Sequence, residues 1–235
     1  GQLGLGDVGE KSPYSYYARE VVKGSSASNN GNTLAGMVEI AAGGTAGYAI
    51  RRNGVLMSWG DNTDGQLGNS SRGAFSNEPD TLSRGDSPAS IDGTEYLNAV
   101  MSVAAGDGHA VAMRAEMTAS GPVVNSYAWG RNNHGQVGRD LAQMAKSTVP
   151  LLIAPNAIRV AAGGDSTLVQ APYQGGAVTL LAWGDNTRGK MGINNGIVDV
   201  VPDPEDPEET IEVTVYPDAF GDPVDGAGTA NANAS

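Results

Sequence analysis

"WGDNTDGQLG" runs from Trp59 to Gly68, and the chain repeats it. "WGRNNHGQVG" begins at Trp129 and "WGDNTRGKMG" at Trp183, while the opening "GQLG" at Gly1 matches only the end of the unit. Every tryptophan of the chain heads one of these decapeptides. A second element precedes each full copy: "IAAGGTAGYAI" from Ile40, "VAAGDGHAVAM" from Val103 and "VAAGGDSTLVQ" from Val160. The tryptophan spacings are 129 − 59 = 70 and 183 − 129 = 54. Periods of roughly 40–50 residues with several short strands point to propeller blades, and longer, unequal periods point to inserted loops. The polar, turn-rich stretch after Gly68 reads as such an insertion, lying on one face of the array.

The decapeptide could be a phosphate loop, a metal loop or a turn. A phosphate loop needs Gly-Lys-Ser or Gly-Lys-Thr entering a helix. Here Lys190 follows Gly189, but Met191 comes next and no strand–loop–helix context surrounds it. Glycines permit positive φ, and Asp61 and Asn62 can fold their side chains onto backbone donors. Trp59 brings a large apolar surface to a strand end, suited to anchoring one blade on another. Gln66 and Leu67 read as the start of the next extended piece. This is turn and packing chemistry.

Strands fit between these elements. "AGYAIRRNGVLMSWG" places Asn53-Gly54 between two apolar runs, a strong hairpin signal. The third copy has a hairpin around Gly175 and Gly176, and the second has a hairpin with a longer tip. Each unit thus reads as an "AAG" turn, a strand, a hairpin, a strand ending at "WG", and a closing turn.

Composition agrees with an all-β chain and narrows the partners. The 235 residues hold 34 glycines and 12 prolines, favouring many turns over a helical bundle. Lys and Arg total 14 against 26 Asp and Glu, a net charge of −12. Such a surface repels phosphate backbones and anionic membranes, so nucleic acid is not an expected partner. No stretch reaches the roughly 18 apolar residues of a membrane helix, so no membrane insertion is expected. The absence of cysteine removes disulfides, thiolate metal sites and cysteine catalysis. Polarity carried mostly by Asn, Ser, Thr, Gly and Asp suggests an extracellular or cell-surface protein, with a cytoplasmic one as the alternative.

The unit "VAAG…H…A" followed by "WG.N..GQ.G" resembles the repeat of the regulator of chromosome condensation family, in a bacterial-type or divergent form. Ala104, Ala105, Gly106, His109 and Ala112 carry the first part of the match. Trp129, Gly130, Asn132, Gly135, Gln136 and Gly138 carry the second. The same frame recurs as Trp59, Gly60, Asn62, Gly65, Gln66 and Gly68, and as Trp183, Gly184, Asn186, Gly189 and Gly192. The resemblance implies a β-propeller, usually seven-bladed, with four-stranded blades. It implies function less closely, because family members include a nucleotide-exchange factor, scaffolds, ubiquitin-ligase parts, photoreceptors and secreted proteins.

The expected fold is therefore an all-β propeller array of three to four blades over residues 1–200, with units ending near 4, 68, 138 and 192. Three blades leave sheet edges open. Three explanations fit: a piece of a longer protein, a ring closed by other copies, or a link in a polymer. Residues 201–210 read as an acidic, Pro-rich linker, with calcium binding by Asp203, Glu205, Asp206 and Glu208 as a sharper alternative. Residues 211–217 read as a strand in which Ile211, Val213 and Val215 alternate with polar neighbours, closing a blade or adding to another copy. Residues 218–235 form a low-complexity tail.

Catalytic residues are not expected. His109 stands where the family repeat has its histidine and reads as a structural hydrogen bonder, and His134 as an exposed turn residue. Two unrelated histidines build neither a triad nor a zinc site, and Asp61 with Asp64 are turn residues before they are a hydrolytic pair. Tyr14, Tyr16 and Tyr17 form an aromatic cluster suited to packing or an interface. The expected function is a non-enzymatic interaction module without cofactor or metal, acting as one subunit of a secreted or surface fibre. Its partners would be proteins, including copies of itself through open sheet edges. Contact regions are expected around Arg72–Asp92, with Arg72, Phe75 and Arg84, around Asp107, and at Ile211, Val213 and Val215. The alternatives are an exchange factor or signalling scaffold, and a carbohydrate-active enzyme on a propeller.

Overall fold

The computed structural model describes residues 1–6, 14–24, 33–70, 73–85, 95–173, 177–189, 191–192, 198–202 and 210–214, the last two stretches as backbone only. Strands β1 (Met37–Ala42), β2 (Ala46–Arg51), β3 (Leu56–Asp61) and β4 (Phe75–Thr81) form one antiparallel sheet in sequence order. Strands β5 (Val100–Ala105), β6 (His109–Thr118), β7 (Gly121–Arg131) and β8 (Lys146–Ala154) repeat that order in a second sheet. Strands β9 (Arg159–Gly163), β10 (Ser166–Tyr173) and β11 (Ala177–Gly184) make a third sheet of three. These are three blades of a propeller array, and the described residues do not close it into a ring.

The stretch after Gly68, read as a surface insertion, holds β4, the fourth strand of blade one. The reading failed because "FSNEPDT" has little apolar character and a proline. Pro79 has no N–H to donate, which an outer strand tolerates. In blade two the extra residues lengthen the hairpin strands rather than its tip: Thr118 pairs with Gly121, leaving a two-residue turn. Gln66 and Leu67 do not begin a strand; they lie inside the closing turn, both buried.

Strands β1, β5 and β9 run beside one another, each the first of its blade. The cores lie between blades. Tyr48, Ile50 and Leu56 of blade one pack with Val103, Ala112 and Trp129 of blade two. Val111 and Ala128 of blade two pack with Val169 and Ala171 of blade three, with Trp183 at the margin. Blade two therefore has one face toward blade one and the other toward blade three, as period-two strands allow.

β12 (Val198–Pro202) and β13 (Thr210–Thr214) pair antiparallel as a separate two-stranded sheet, with Val201 opposite Ile211. Ile211 and Val213 thus belong to a hairpin within the chain. Val215 and the four candidate calcium ligands lie outside the described residues.

Candidate protein-interaction surfaces

The decapeptide closes on itself through the polar positions that recur in all three copies. Leu67, Val137 and Met191 donate their backbone N–H to Asn62, Asn132 and Asn186 Oδ1 at 3.1, 3.0 and 3.1 Å. Buried Gln66 accepts from the Asp64 N–H at 2.9 Å and donates to Asp61 Oδ2 at 2.9 Å; Gln136 accepts from the His134 N–H at 2.8 Å and donates to Asp165 Oδ1 at 3.0 Å. The glycine after each tryptophan has φ of 110°, 101° and 110° at Gly60, Gly130 and Gly184, a conformation that penalises any side chain.

Each closing turn then receives the tryptophan of the next unit. Trp129 Nε1 donates to the Gln66 carbonyl at 2.8 Å, and the same oxygen accepts the Tyr48 hydroxyl at 2.6 Å. Tyr48 and Trp129 meet edge to face with centroids 6.2 Å apart. Trp59 Nε1 donates in the same way to the Gln2 carbonyl at 3.0 Å. A Cβ on Gly4, Gly68 or Gly138 would come within 2.9, 3.0 or 3.5 Å of Trp59, Trp129 or Trp183. Trp129 is fully buried, Trp59 is 8% exposed, and Trp183 is half-buried.

His109 bridges two blades. The Thr167 hydroxyl donates to the Gln136 carbonyl at 2.7 Å, so it accepts from His109 Nε2–H at 2.8 Å. This assigns the proton to Nε2, and Nδ1 has no hydrogen-bond partner of good geometry. Burial lowers the His109 pKa from 6.5 to about 4, against the opposing pull of Asp165. The unfolded chain therefore takes up this proton first as pH falls. Stability is complete above pH 6.5 and declines between pH 6.5 and about 4. The loss from this group is roughly 3 kcal/mol. Chemical denaturation at pH 7.5 and 4.5 should show it, and His109→Gln should flatten that part of the pH dependence.

Charged side chains tie the same rim. Arg131 meets Asp64 Oδ2 of the preceding unit at 2.6 Å and Asp165 Oδ1 of the next blade at 3.8 Å. His134 Nδ1 lies 3.6 Å from Asp165, so it is not merely an exposed turn residue. Asp107 is exposed and donates its N–H to the Gly164 carbonyl at 2.8 Å. Glu39 of β1 accepts from Ser102 Oγ and the Val103 N–H of β5, both at 2.8 Å. None of these cross-blade pairs was legible in the sequence, because their partners are 31 to 67 residues apart, with loops of unequal length between them.

Besides Asp107, two of the residues proposed as contacts can be placed on the surface. Phe75 at the start of β4 is exposed, and Arg84 beyond it is half-buried with partners of its own. Arg72 lies outside the described residues. Tyr14 and Tyr16 are exposed and meet edge to face at 5.1 Å, and Tyr17 is exposed beside them. Further apolar side chains are exposed on the two terminal blade faces: Ile40 at 76% on blade one, and Leu180 at 61% with Val178 on blade three. A groove of about 670 Å³ opens on the blade-one face, lined by Val21, Leu34, Met37, Ile40, Gly47 and Trp59. Among the described residues no three acidic or imidazole side chains gather as a metal site.

The repeat is shared with known proteins. A profile of the regulator of chromosome condensation (RCC1) repeat matches residues 53–113 and 126–170, and a second profile of that repeat matches 37–66. The human E3 ubiquitin-protein ligase HERC2 is 29% identical over 157 residues, which is 66% of this chain and 3% of that protein. The human probable E3 ubiquitin-protein ligase HERC3 is 28% identical over 158 residues, 66% of this chain and 13% of that protein. The chain thus spans a small part of the length of these relatives. Human WBSCR16 shares the fold at a TM-score of 0.53 and 21% identity, over 78% of this chain and 40% of that one. Prp20p of Saccharomyces cerevisiae, described with its binding to Gsp1p and histones, aligns at a TM-score of 0.48 and 25% identity, over 65% of this chain and 34% of that one. The profiles together cover just over half of the residues, and the tryptophan-led turns at Trp59 and Trp129 fall inside the matched stretches: this chain belongs to the RCC1 repeat family and is an RCC1-type propeller module for protein interaction.

Proposed function

We propose that this chain is a non-enzymatic interaction module that works as a subunit of a secreted or surface assembly, binding proteins through its blade faces and edges. The observation that carries the reading is the pair of apolar terminal faces, headed by Ile40 and Leu180. Burying such residues favours association by about 25 cal/mol per Å² of apolar area before the costs of ordering. The net charge of −12 opposes that association at low ionic strength. The recurring residues of the repeat supply backbone hydrogen bonds and blade contacts, which suits a scaffold better than a catalyst. The family's similarity to ligase proteins supports a binding role for this region, whatever the whole relatives do.

Sedimentation velocity of the chain over a hundredfold concentration range at physiological salt tests this. Self-association that strengthens with added salt is the expected result. A monomer at every concentration, together with accelerated nucleotide release from a small GTPase, would favour the exchange-factor reading instead.

A further inference from the structure

We infer that the outer edge of β11 is a strand-docking site whose occupant is β12 of the same chain, which takes it by giving up its pairing with β13. The contact completes blade three and lies within one chain, so it does not depend on the assembly reading above.

The occupant is identified by its position in the repeat. β4 and β8 are the outer strands of blades one and two, and each carries proline as its fifth residue, Pro79 and Pro150. β12 also carries proline fifth, at Pro202. Proline lacks a ladder donor, so within sheets it is confined to edge strands. The connections match as well. Six residues lie between Gly68 and β4, seven between Gly138 and β8, and five between Gly192 and β12. Unlike β3 and β7, β11 is paired on one side only among the described residues.

The seat is formed from three sides, and blades one and two show what fills it. Phe75 and Ser76 stand opposite Asp61 and Gly60, as Lys146 and Ser147 stand opposite Arg131 and Gly130. The same register sets Val198 opposite Asp185 and Asp199 opposite Gly184. An asparagine then holds the stretch that leads into the strand. Asn62 Nδ2 donates to the Gly73 carbonyl at 3.0 Å and Asn132 Nδ2 to the Met144 carbonyl at 2.7 Å, each two residues ahead of its strand. Asn186 Nδ2 is buried and has no hydrogen-bond partner. A buried donor left unpaired costs free energy, so this amide favours an incoming strand.

The closing turn of the preceding unit lies along the strand's far edge. Ser70 donates its N–H to the Thr148 carbonyl at 3.0 Å, as Gly6 does to the Asn77 carbonyl at 2.9 Å. The counterpart of Ser70 is Asp140, two residues past Gly138, and its N–H has no partner among the described residues. A Cβ on Gly1 or Gly65 would come within 2.5 or 2.6 Å of the Ser76 or Ser147 carbonyl oxygen, whereas around Gly135 nothing lies within 4 Å. In the docked strand Asp199 sits by Gly135, and the Val200 carbonyl accepts from Asp140. β12 has two edges. β11 takes one and the Asp140 turn the other, so docking releases β13. An edge filled in this way is closed to any other strand.

The test is disulfide trapping in the full chain, which has no cysteine of its own. Directly opposed residues of antiparallel strands have Cα atoms about 4.5–5.5 Å apart, within reach of a disulfide. Asp185→Cys with Val198→Cys should therefore oxidise to a disulfide-linked monomer. It should do so at least about tenfold faster than Asp185→Cys with Val201→Cys, in which the second cysteine stands about 10 Å further along the strand. Disulfide-linked dimers in place of monomers would overturn the same-chain assignment, because β12 would then be donated between copies. Equal rates for the two pairs would overturn the docking site itself. Asp185→Cys removes the bonds that Asp185 makes to Thr187, so hydrogen exchange on the unmodified chain gives an independent reading. The Asp140 amide should exchange at least about tenfold more slowly than in an unstructured chain, as the Ser70 amide should. Exchange of Asp140 at the unstructured rate would overturn the inference.

Discussion

Replacing Trp129 by alanine should cost about 3–5 kcal/mol of stability, the range for removing a buried aromatic side chain. For a chain of this size that is a fall in Tm of roughly 6–20 °C. The side chain is fully buried between blades one and two. Its loss leaves a cavity against Tyr48, Leu82 and Ala112, and it leaves the Gln66 carbonyl with the Tyr48 hydroxyl as its side-chain partner. Trp129→Phe keeps part of the packing and loses the hydrogen bond, so it should fall between. Trp183→Ala should cost less than Trp129→Ala, because Trp183 is only half-buried. Thermal unfolding followed by circular dichroism measures all three. Equal costs for Trp129 and Trp183 would contradict the distinction between a filled socket and a half-filled one.

The second large effect is expected at Glu116. Arg114 and Glu116 are both buried, and Arg114 Nη1 lies 3.2 Å from Glu116 Oε1. Tyr127 donates its hydroxyl to the same carboxylate oxygen, and Asn125 Nδ2 donates to the other at 3.0 Å. Arg114 also donates from Nε to the Asn98 carbonyl at 2.9 Å. Burial and the neighbouring carboxylate both push the Tyr127 pKa up, so the phenol stays protonated and remains a donor. Glu116→Leu strands the guanidinium beside an apolar group, a loss of about 3–5 kcal/mol. The double variant Arg114→Met, Glu116→Leu removes both charges and should recover most of that loss, since a buried pair often contributes little over an apolar replacement. Urea denaturation of the wild type, the single and the double variant decides it. A single variant as stable as the wild type would mean that the pair is solvated in solution.

The sequence exposed what depends on local spacing. The three tryptophan-led turns, their folded-back asparagines and the Asn53-Gly54 hairpin could be read because each is complete within about ten residues. β4 could not, because an outer strand needs few apolar residues and can carry Pro79. Gln66 was misplaced as the start of a strand, since nothing local shows that its amide satisfies Asp61 and the Asp64 N–H inside a buried turn. The sequence led to an expectation of open sheet edges, whereas Ile40 and Leu180 are exposed on sheet faces. Their chemistry, a groove under Ile40 and a ridge at Leu180, emerged only when equivalent residues of successive blades were compared for burial. Position in the array, rather than residue type, decides whether the same leucine is core or surface.

The central claim is that the indoles join neighbouring blades. It can be tested by labelling the chain with 5-fluorotryptophan and measuring the 19F solvent-isotope shift of the three resonances, assigned through single Trp→Phe variants. Trp129 should show no shift between H2O and D2O, Trp59 a small one, and Trp183 an intermediate one. Three resonances shifting as fully as the free amino acid would contradict the claim.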